Sequence, residues 1–261
     1  MEPVLHRTIY EMEKKFWWYA GRRLIIFDLI GRFLPSQAGR ALDIGCGSGL
    51  NASFLPARIK EVIGIEVSDE AIKAAAYTNP RLNIIKGTWP EMSVPGTFNL
   101  IICLDVLEHI KDDGSALRAI ESLLAPNGIA LLTVPAFPFL WSDHDTVAHH
   151  FRRYTQPHLR ALIQNNTRLE ILCLSYFNFF LFVPIVLFRL LKKIIPLRIG
   201  TSDIFSVPKP INTLLTYLFG AERFLIRAGN LPVGVSLLCI LKKQSLKTEN
   251  THATIIKDVS K

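Results

Sequence analysis

A short apolar run that contains an acid and ends in three alternating glycines is the part of this sequence best suited to hold a ligand. It reads Leu42-Asp43-Ile44-Gly45-Cys46-Gly47-Ser48-Gly49. Such a run indicates a buried strand that breaks into a tight turn before a helix, whose first free N–H groups face the ligand. Asp43 is placed to accept hydrogen bonds from a cationic or N–H-bearing group. Leu50 stands where a dinucleotide-binding turn has its third glycine, so nicotinamide dinucleotides are disfavoured.

A second set of chemistry-bearing side chains lies shortly after residue 140. His144, Asp145, His149 and His150 occur close together there. Histidine titrates near neutrality, and a neighbouring carboxylate orients it as a base that takes a proton from an oxygen nucleophile. We therefore predict that His144, Asp145 and His150 are catalytic, with a structural role in a long loop as the alternative. Their spacing matches no standard ligand pattern, so no metal is expected.

Two arginines follow these histidines directly. Arg152 and Arg153 are planar, permanently charged anchors for carboxylate or phosphate, and with Tyr154 we predict that they hold an anionic substrate. Solvated charges at a helix entry are the alternative. The net charge of +8 also favours an anionic partner, such as a phosphate-bearing substrate, a membrane surface or nucleic acid. Nucleic acid is unlikely, because no helix-turn-helix or RNP-like motif accompanies the basic residues.

Alternating strands and helices must position these residues. Apolar runs predict strands at about 40–44, 62–66, 82–86, 98–103, 129–134, 169–176 and 235–241. Helices are expected at about 69–76, 115–124, 156–165 and 211–228. The alternation predicts an α/β fold: a doubly wound, seven-stranded Rossmann-like sheet with helices on both faces. Ligands of such sheets bind beyond the carboxyl ends of the strands.

The 261 residues divide into three predicted regions. Helical periodicity up to Pro35 predicts an N-terminal helical lid over residues 1–35. Residues 36–243 are expected to form the α/β domain, with an apolar helical insertion at 177–230, and residues 244–261 a disordered polar tail. Four widely spaced cysteines favour a reducing compartment, so a cytoplasmic location is expected. The first residues lack the pattern of a secretory signal.

The stretch 171–188 carries no charge and raises the question of membrane contact. It is at the lower length limit for a spanning helix, Asn178 and Pro184 interrupt it, and its first half resembles a strand. We therefore expect a core or interfacial helix near 179–195, whose basic end meets phosphate headgroups. This predicts a peripheral membrane contact through 177–195, at the inner face of the membrane.

Four motifs in order resemble class I S-adenosylmethionine-dependent methyltransferases of the small-molecule, ubiquinone-pathway branch. They are the glycine turn at 42–49, Gly64-Ile65-Glu66, Asp105-Val106-Leu107-Glu108-His109-Ile110 and Leu124-Ala125-Pro126-Asn127-Gly128. Trp17-Trp18-Tyr19-Ala20-Gly21-Arg22-Arg23 and the segment 141–155 are similar to a bacterial, envelope- or polysaccharide-associated subgroup. The resemblance implies S-adenosylmethionine as cofactor and methyl transfer to a small or lipid-linked, anionic acceptor.

The resemblance also implies cofactor contacts. The turn residues Gly45, Cys46, Gly47 and Gly49 would approach the methionine part, and Asp43 would hold its amino group. Glu66 would take the ribose hydroxyls, which suits a two-oxygen acceptor. Leu104 and Asp105 would lie near the methionine. His109 would be a helix-start residue or would move a proton near the transferred methyl.

One departure from the family pattern affects the adenine end. Many relatives have an acid after the third strand, whereas this chain has Thr88 and Trp89. Thr88 is a weaker acceptor, and Trp89 either stacks on adenine or fills the core. A membrane-peripheral binding or scaffold protein that kept the cofactor fold is therefore an alternative function, and nucleic-acid methylation is a third.

Overall fold

A seven-stranded sheet flanked by helices organises the chain. The computed structural model describes residues 12–79, 82–194 and 207–245. The helices are α1 (Trp17–Phe33), α2 (Asp69–Thr78), α3 (Asp113–Leu123), α4 (Asp143–Val147), α5 (Gln156–Asn166), α6 (Phe182–Ile194) and α7 (Lys209–Ala228). The strands are β1 (Arg40–Ile44), β2 (Glu61–Glu66), β3 (Asn83–Lys86), β4 (Phe98–Leu104), β5 (Leu124–Pro135), β6 (Glu170–Phe177) and β7 (Ser236–Lys242).

The strand order confirms the predicted doubly wound sheet. It runs β3-β2-β1-β4-β5-β7-β6, with β1 to β5 parallel and β7 antiparallel to both its neighbours. Every residue of β4 except Asn99 is buried, and every residue of β7 except Lys242. Strands without an exposed face read as continuous apolar runs, which is why they were recognisable from sequence. The antiparallel direction of β7 leaves no such mark.

The prediction of an α-helix directly after the glycine turn is wrong. A single 3-10 turn, Asn51–Phe54, follows Gly49, and the chain is extended again at Leu55. Pro56 follows Leu55 directly and cannot continue a helix, because it lacks an N–H. The ligand-facing groups therefore belong to the turn itself rather than to a helix N-terminus.

The join between α3 and β5 also differs from the prediction. The helix ends at Leu123, and β5 starts at Leu124 instead of residue 129. Asn127 takes a left-handed conformation (φ 60°) inside the strand, and the pairing with β4 shifts register there. The Pro-Asn-Gly sequence is thus an irregularity at the start of a strand, not the end of a helix.

The first half of the apolar stretch is strand β6, as predicted, and the second half is α6. Among the residues described, no helix has the length and apolarity needed to cross a membrane. The predicted polar tail falls almost wholly on residues 246–261, which lie outside the described part of the chain, as do the first eleven residues of the predicted lid.

Helix α1 packs along α7, and two glycines bring them close. A Cβ on Gly21 would lie 2.7 Å from Cδ1 of Phe219, and one on Gly220 would lie 2.5 Å from Cδ1 of Leu24. Leu34 is already extended after the last turn of α1, as expected before Pro35. The two glycines therefore fix how closely the N-terminal helix lies on the C-terminal one.

Two substitutions in α1 should separate this close packing from helix propensity. A Cβ on Gly31 meets nothing within 4 Å, so Gly31→Ala should raise the free energy of unfolding by about 0.8 kcal/mol. Gly21→Ala gains the same propensity but must displace Phe219, so we expect a net loss of about 1 kcal/mol. Urea unfolding monitored by circular dichroism measures both. Equal stabilisation by the two substitutions would contradict the packing described.

Candidate functional site

A cavity of about 640 Å³ lies at the carboxyl edge of the sheet. The glycine turn after β1, the aromatic start of α1, the residues after β4 and the segment between β5 and α5 meet there, together with parts of α6 and α7. Its lining includes Gly45, Cys46, Gly47, Leu104, Asp105, Trp17, Trp18, Tyr19, His144 and His150. Half of the residues predicted to do chemistry thus line one cavity, at the position expected for ligands of a doubly wound sheet.

The glycine turn depends on its glycines for conformation and for space. Gly45, Gly47 and Gly49 have φ values of 68°, 54° and 71°, in the left-handed region that side chains disfavour. A Cβ on Gly45 would lie 2.5 Å from Cγ2 of Val106. Gly45 and Gly47 line the cavity, whereas Gly49 packs on Ala75 behind it. A ligand can therefore approach the backbone at the first two positions.

Asp43 is a buried carboxylate with an unused acceptor. Its side chain lies at the end of β1, and no described group donates a hydrogen bond to its Oδ2 atom. Burial raises the pKa of Asp43 to about 7, although the Arg22 charge opposes this. An unpaired buried acceptor is costly, so this oxygen is suited to a ligand that brings a donor.

Arg22 joins α1 to the cavity and was not predicted from sequence as a site residue. Its Nη1 atom pairs with Oδ2 of Asp105, and its guanidinium lies 4.4 Å from the ring centre of Trp18. Its Nε atom is buried without a partner in the described structure. Asp105 has a left-handed φ of 54° and accepts a 2.9 Å hydrogen bond from Oγ1 of Thr133. The segment from Trp17 to Arg23, which contains Arg22, stood out in the sequence only through its resemblance to related methyltransferases.

Glu66 lies behind the turn, at the end of β2. Its Oε2 atom accepts from the Gly47 amide at 2.9 Å, and its Oε1 atom accepts from the amides of Val67 and Ser68. Glu13, which sequence reasoning missed, reaches the other side of the turn and accepts a hydrogen bond from Oγ of Ser48. Burial raises the pKa of Glu13. Two acids therefore fix the turn from opposite sides.

Asp145 is the centre of a buried polar group in the histidine-rich segment. It accepts from Nε and Nη2 of Arg153 at 2.8 and 2.9 Å, and its Oδ1 atom lies 2.9 Å from Nδ1 of His150. The backbone amide of Ser142 adds a further bond of 2.8 Å. Burial alone would raise the pKa of Asp145, but the hydrogen bonds from His150 and Arg153 outweigh it and hold the pKa well below its usual range. Asp145 is therefore ionised and makes Nδ1 of His150 the donor.

A second histidine and a buried acid complete this end of the cavity. The rings of His109 and His150 are 4.5 Å apart, edge to face. Both carboxylate oxygens of Glu108 are buried and unpaired among the residues described, and burial raises its pKa well above the usual value, with Asp105 adding to the effect. Glu108, His109 and His150 each offer one side-chain oxygen or nitrogen atom that could bind a metal ion, and these three atoms lie within 4.8 Å of one another. Sequence spacing gave no indication of this group, because residue 150 is distant along the chain.

Several predicted residues lie outside the cavity lining. Arg152 pairs with Asp113 at 2.8 Å, and the hydroxyl of fully buried Tyr154 donates to the same carboxylate at 2.9 Å. The predicted substrate contact is therefore corrected for both: they fasten the segment to α3. Thr88 is exposed, and Trp89 fills the core rather than lining the cavity.

Helices α6 and α7 line another part of the cavity, which is apolar apart from Arg189. Leu181, Ile185 and Phe188 contribute there from α6 and the residue before it, and Leu215 contributes from α7. Asn178 lines the same cavity, with its Oδ1 atom buried and unpaired in the described part of the chain. The cavity therefore has a charged part at the glycine turn and an apolar part lined by α6 and α7.

Comparisons with known proteins agree with this arrangement. A family model described as a methyltransferase domain matches residues 17–170. The ubiquinone biosynthesis O-methyltransferase of Albidiferax ferrireducens is 29% identical over 108 residues, covering 39% of this chain and 43% of the relative. That of Xanthomonas euvesicatoria is 27% identical over 159 residues, covering 53% and 66%. The chain thus spans about half the length of the curated relatives that it matches.

Solved structures share the fold at low sequence identity. The N-methyltransferase NodS of Bradyrhizobium japonicum, in complex with S-adenosylhomocysteine, superposes with a TM-score of 0.55 at 12% identity, covering 90% of this chain and 92% of that one. A methyltransferase from Mesorhizobium loti gives 0.53 at 14% identity, covering 82% and 96%. The family match spans more than half of the chain and includes the glycine turn, β4 and the histidine segment. The resemblance to methyltransferases found in the sequence is confirmed: the chain belongs to the methyltransferase-domain family.

Proposed function

We propose that the protein is a methyltransferase that uses S-adenosylmethionine to methylate a small acceptor, at an oxygen atom. The observation that carries the proposal is one cavity that is lined both by the glycine turn, which follows the unpaired Asp43 carboxylate, and by His150, which is paired with Asp145. When bound, S-adenosylmethionine supplies a methyl group already activated on a sulfonium sulfur. The chain then has to align the acceptor and remove its proton.

The residues around the turn fit the polar groups of this cofactor. Asp43 offers its free Oδ2 atom to the amino group, and Arg22 offers an unpaired N–H to the carboxylate. Glu66 is positioned against the Gly47 amide and would receive the ribose hydroxyls. Cys46 and Leu104 contribute apolar contact, since burial raises the pKa of the Cys46 thiol and keeps it neutral. Thr88 and Trp89 lie away from the cavity, so we assign them no cofactor contact.

His150 is the best-placed base for the acceptor. Its Nδ1 atom donates to ionised Asp145, which leaves Nε2 as the proton acceptor. His150 lines the cavity, and the carboxylate stabilises the imidazolium that forms. Asp145 acts through His150 and is a positioning residue. Arg153 keeps Asp145 ionised and is therefore not available as an anchor for an anionic substrate.

The apolar part of the cavity favours a lipid-linked acceptor over an anionic one. The residues that α6 and α7 contribute there are apolar except for Arg189, whose guanidinium donates to the backbone carbonyl of Leu140. The curated relatives' names indicate O-methylation in ubiquinone biosynthesis. All four cysteines are buried and free, which agrees with a cytoplasmic location. The acceptor we propose is thus an amphipathic molecule with a hydroxyl group at its polar end.

A labelled-methyl transfer assay tests the proposed function. The protein is incubated with methyl-labelled S-adenosylmethionine and with separate soluble and lipid extracts, and labelled products are identified by mass. We expect label in a solvent-extractable product whose mass rises by one methylene. Label in nucleic acid would support the third function instead. Binding of S-adenosylhomocysteine without transfer to either extract would support a scaffold protein.

The raised pKa of Asp43 predicts that cofactor affinity depends on pH. Its pKa is about 7 without ligand, and it must ionise to pair with an amino group, so binding releases a proton below that pH. Affinity for S-adenosylhomocysteine should rise about tenfold between about pH 6 and pH 8, and Asp43→Asn should abolish the rise. Isothermal titration in two buffers of different ionisation enthalpy measures affinity and proton release together.

The control for this measurement is Asp69→Asn, which alters an exposed acid paired with Lys86. It should keep the pH dependence of the unsubstituted protein. A pH-independent affinity in the unsubstituted protein, or an unchanged rise in Asp43→Asn, would show that Asp43 does not meet the amino group.

If His150 is the base, substituting it should lower turnover and leave cofactor binding nearly unchanged. Loss of the base in His150→Ala should lower kcat by about a hundredfold or more, with little change in affinity for S-adenosylhomocysteine. The matched control is His149→Asn, because His149 is exposed, lies outside the cavity lining and has a left-handed φ of 57° that asparagine tolerates. A parallel fall of thermal stability and turnover in His150→Ala would favour the structural role.

A further inference from the structure

Helix α6 is apolar on two opposite sides. Its inner side, with Ile185 and Phe188, lines the cavity. Its outer side carries Val183, Leu187 and Leu191, which follow one another at four-residue spacing and are exposed by 51 to 61%. A helix that is apolar all round belongs to a protein core or a membrane, yet this outer side faces solvent.

Helix α7 extends the same kind of surface. Ile211, Leu214, Leu218 and Leu225 are exposed and lie on one side of the helix, at spacings of three, four and seven residues. The opposite side, with Phe219 and Ile226, is buried. Both helices contribute to the lining of the same cavity, α6 with Ile185 and Phe188 and α7 with Leu215, and we call their outer sides together the apolar face. Clustered exposure of this kind marks an interaction surface, whereas single exposed leucines do not.

The charge of this region identifies the partner. The described side chains of α6 and α7 include four basic residues, Arg189, Lys209, Arg223 and Arg227, and one acid, Glu222. Glu222 is fully buried and accepts hydrogen bonds from the amides of Phe179 and Phe180. A second copy of the chain on this face would bring two positive regions together. An anionic lipid headgroup layer instead offers opposite charge to the basic residues and an apolar interior to the leucines.

We propose that the apolar face lies flat on an anionic lipid bilayer, with α6 and α7 in the headgroup region. At 13 residues α6 is too short to span the hydrocarbon layer but suits an interfacial position. Because its inner side lines the apolar part of the cavity, the bound bilayer adjoins the site of the acceptor. This last point rests on the proposed function; the docking itself does not.

Vesicle sedimentation tests the docking with the full chain. The protein is spun with vesicles of phosphatidylcholine alone or with phosphatidylglycerol added, at low and high salt. We expect binding to the anionic vesicles that weakens with salt. Leu187→Glu/Leu214→Glu removes two apolar contacts and adds two negative charges, so its vesicle affinity should fall at least about tenfold. Both positions are exposed and outside the cavity lining, so folding should be preserved.

The control Gln164→Glu/Asn165→Glu adds the same charge on α5, which packs against α3 rather than in the apolar face. It should bind vesicles like the unsubstituted protein. No binding of the unsubstituted protein to anionic vesicles, or equal binding of both double variants, would overturn the proposal. A dimer in light scattering that Leu187→Glu/Leu214→Glu converts to a monomer, without vesicle binding, would assign the face to a second copy. Titration of the same variant with S-adenosylhomocysteine keeps these outcomes separate from the proposed function.

Discussion

The ion pair between Arg22 and Asp105 is the interaction on which the arrangement of the site depends. It links the N-terminal helix to the end of the central strand β4, and only 9% and 29% of the two side chains are exposed. A pair so far removed from water is stable only when its geometry and its other contacts are good. Trp18 supplies the cation–π contact on one partner, and Thr133 the hydrogen bond on the other. The close packing of α1 on α7 holds the guanidinium in that position.

Two buried acids near the cavity, Asp43 and Glu108, have side-chain oxygens that accept no hydrogen bond from the described residues. A folded chain keeps buried acceptors without donors at a cost, and such groups concentrate at sites that receive a ligand. Asp43 lies at the end of β1, next to the glycine turn, and Glu108 lies next to His109 and His150. Asp145, in contrast, is satisfied on every side and remains ionised. Asp43 and Glu108 thus have acceptor atoms free for a ligand, whereas Asp145 orients a base.

Elements buried on both faces were readable from the sequence, because continuous apolar runs mark them, and the glycine turn was readable from its spacing. Contacts between distant residues were not. Arg22 meets Asp105 across 83 positions, and His150 meets His109 across the sheet edge. The sequence also led us to place three adjacent residues in one substrate site. In the extended segment at 152–154, Arg153 turns to the cavity while Arg152 and Tyr154 turn to α3. Successive side chains of an extended chain point to opposite sides, so proximity in sequence did not mean a shared site.

A crystal structure of the protein with S-adenosylhomocysteine would show directly whether the cavity holds the cofactor as proposed. We expect the amino group of the ligand at Oδ2 of Asp43, its carboxylate at Arg22, and its sulfur facing the part of the cavity that holds His150 and Glu108. A ligand bound elsewhere, or bound in this cavity with its amino group away from Asp43 and its carboxylate away from Arg22, would contradict the proposal.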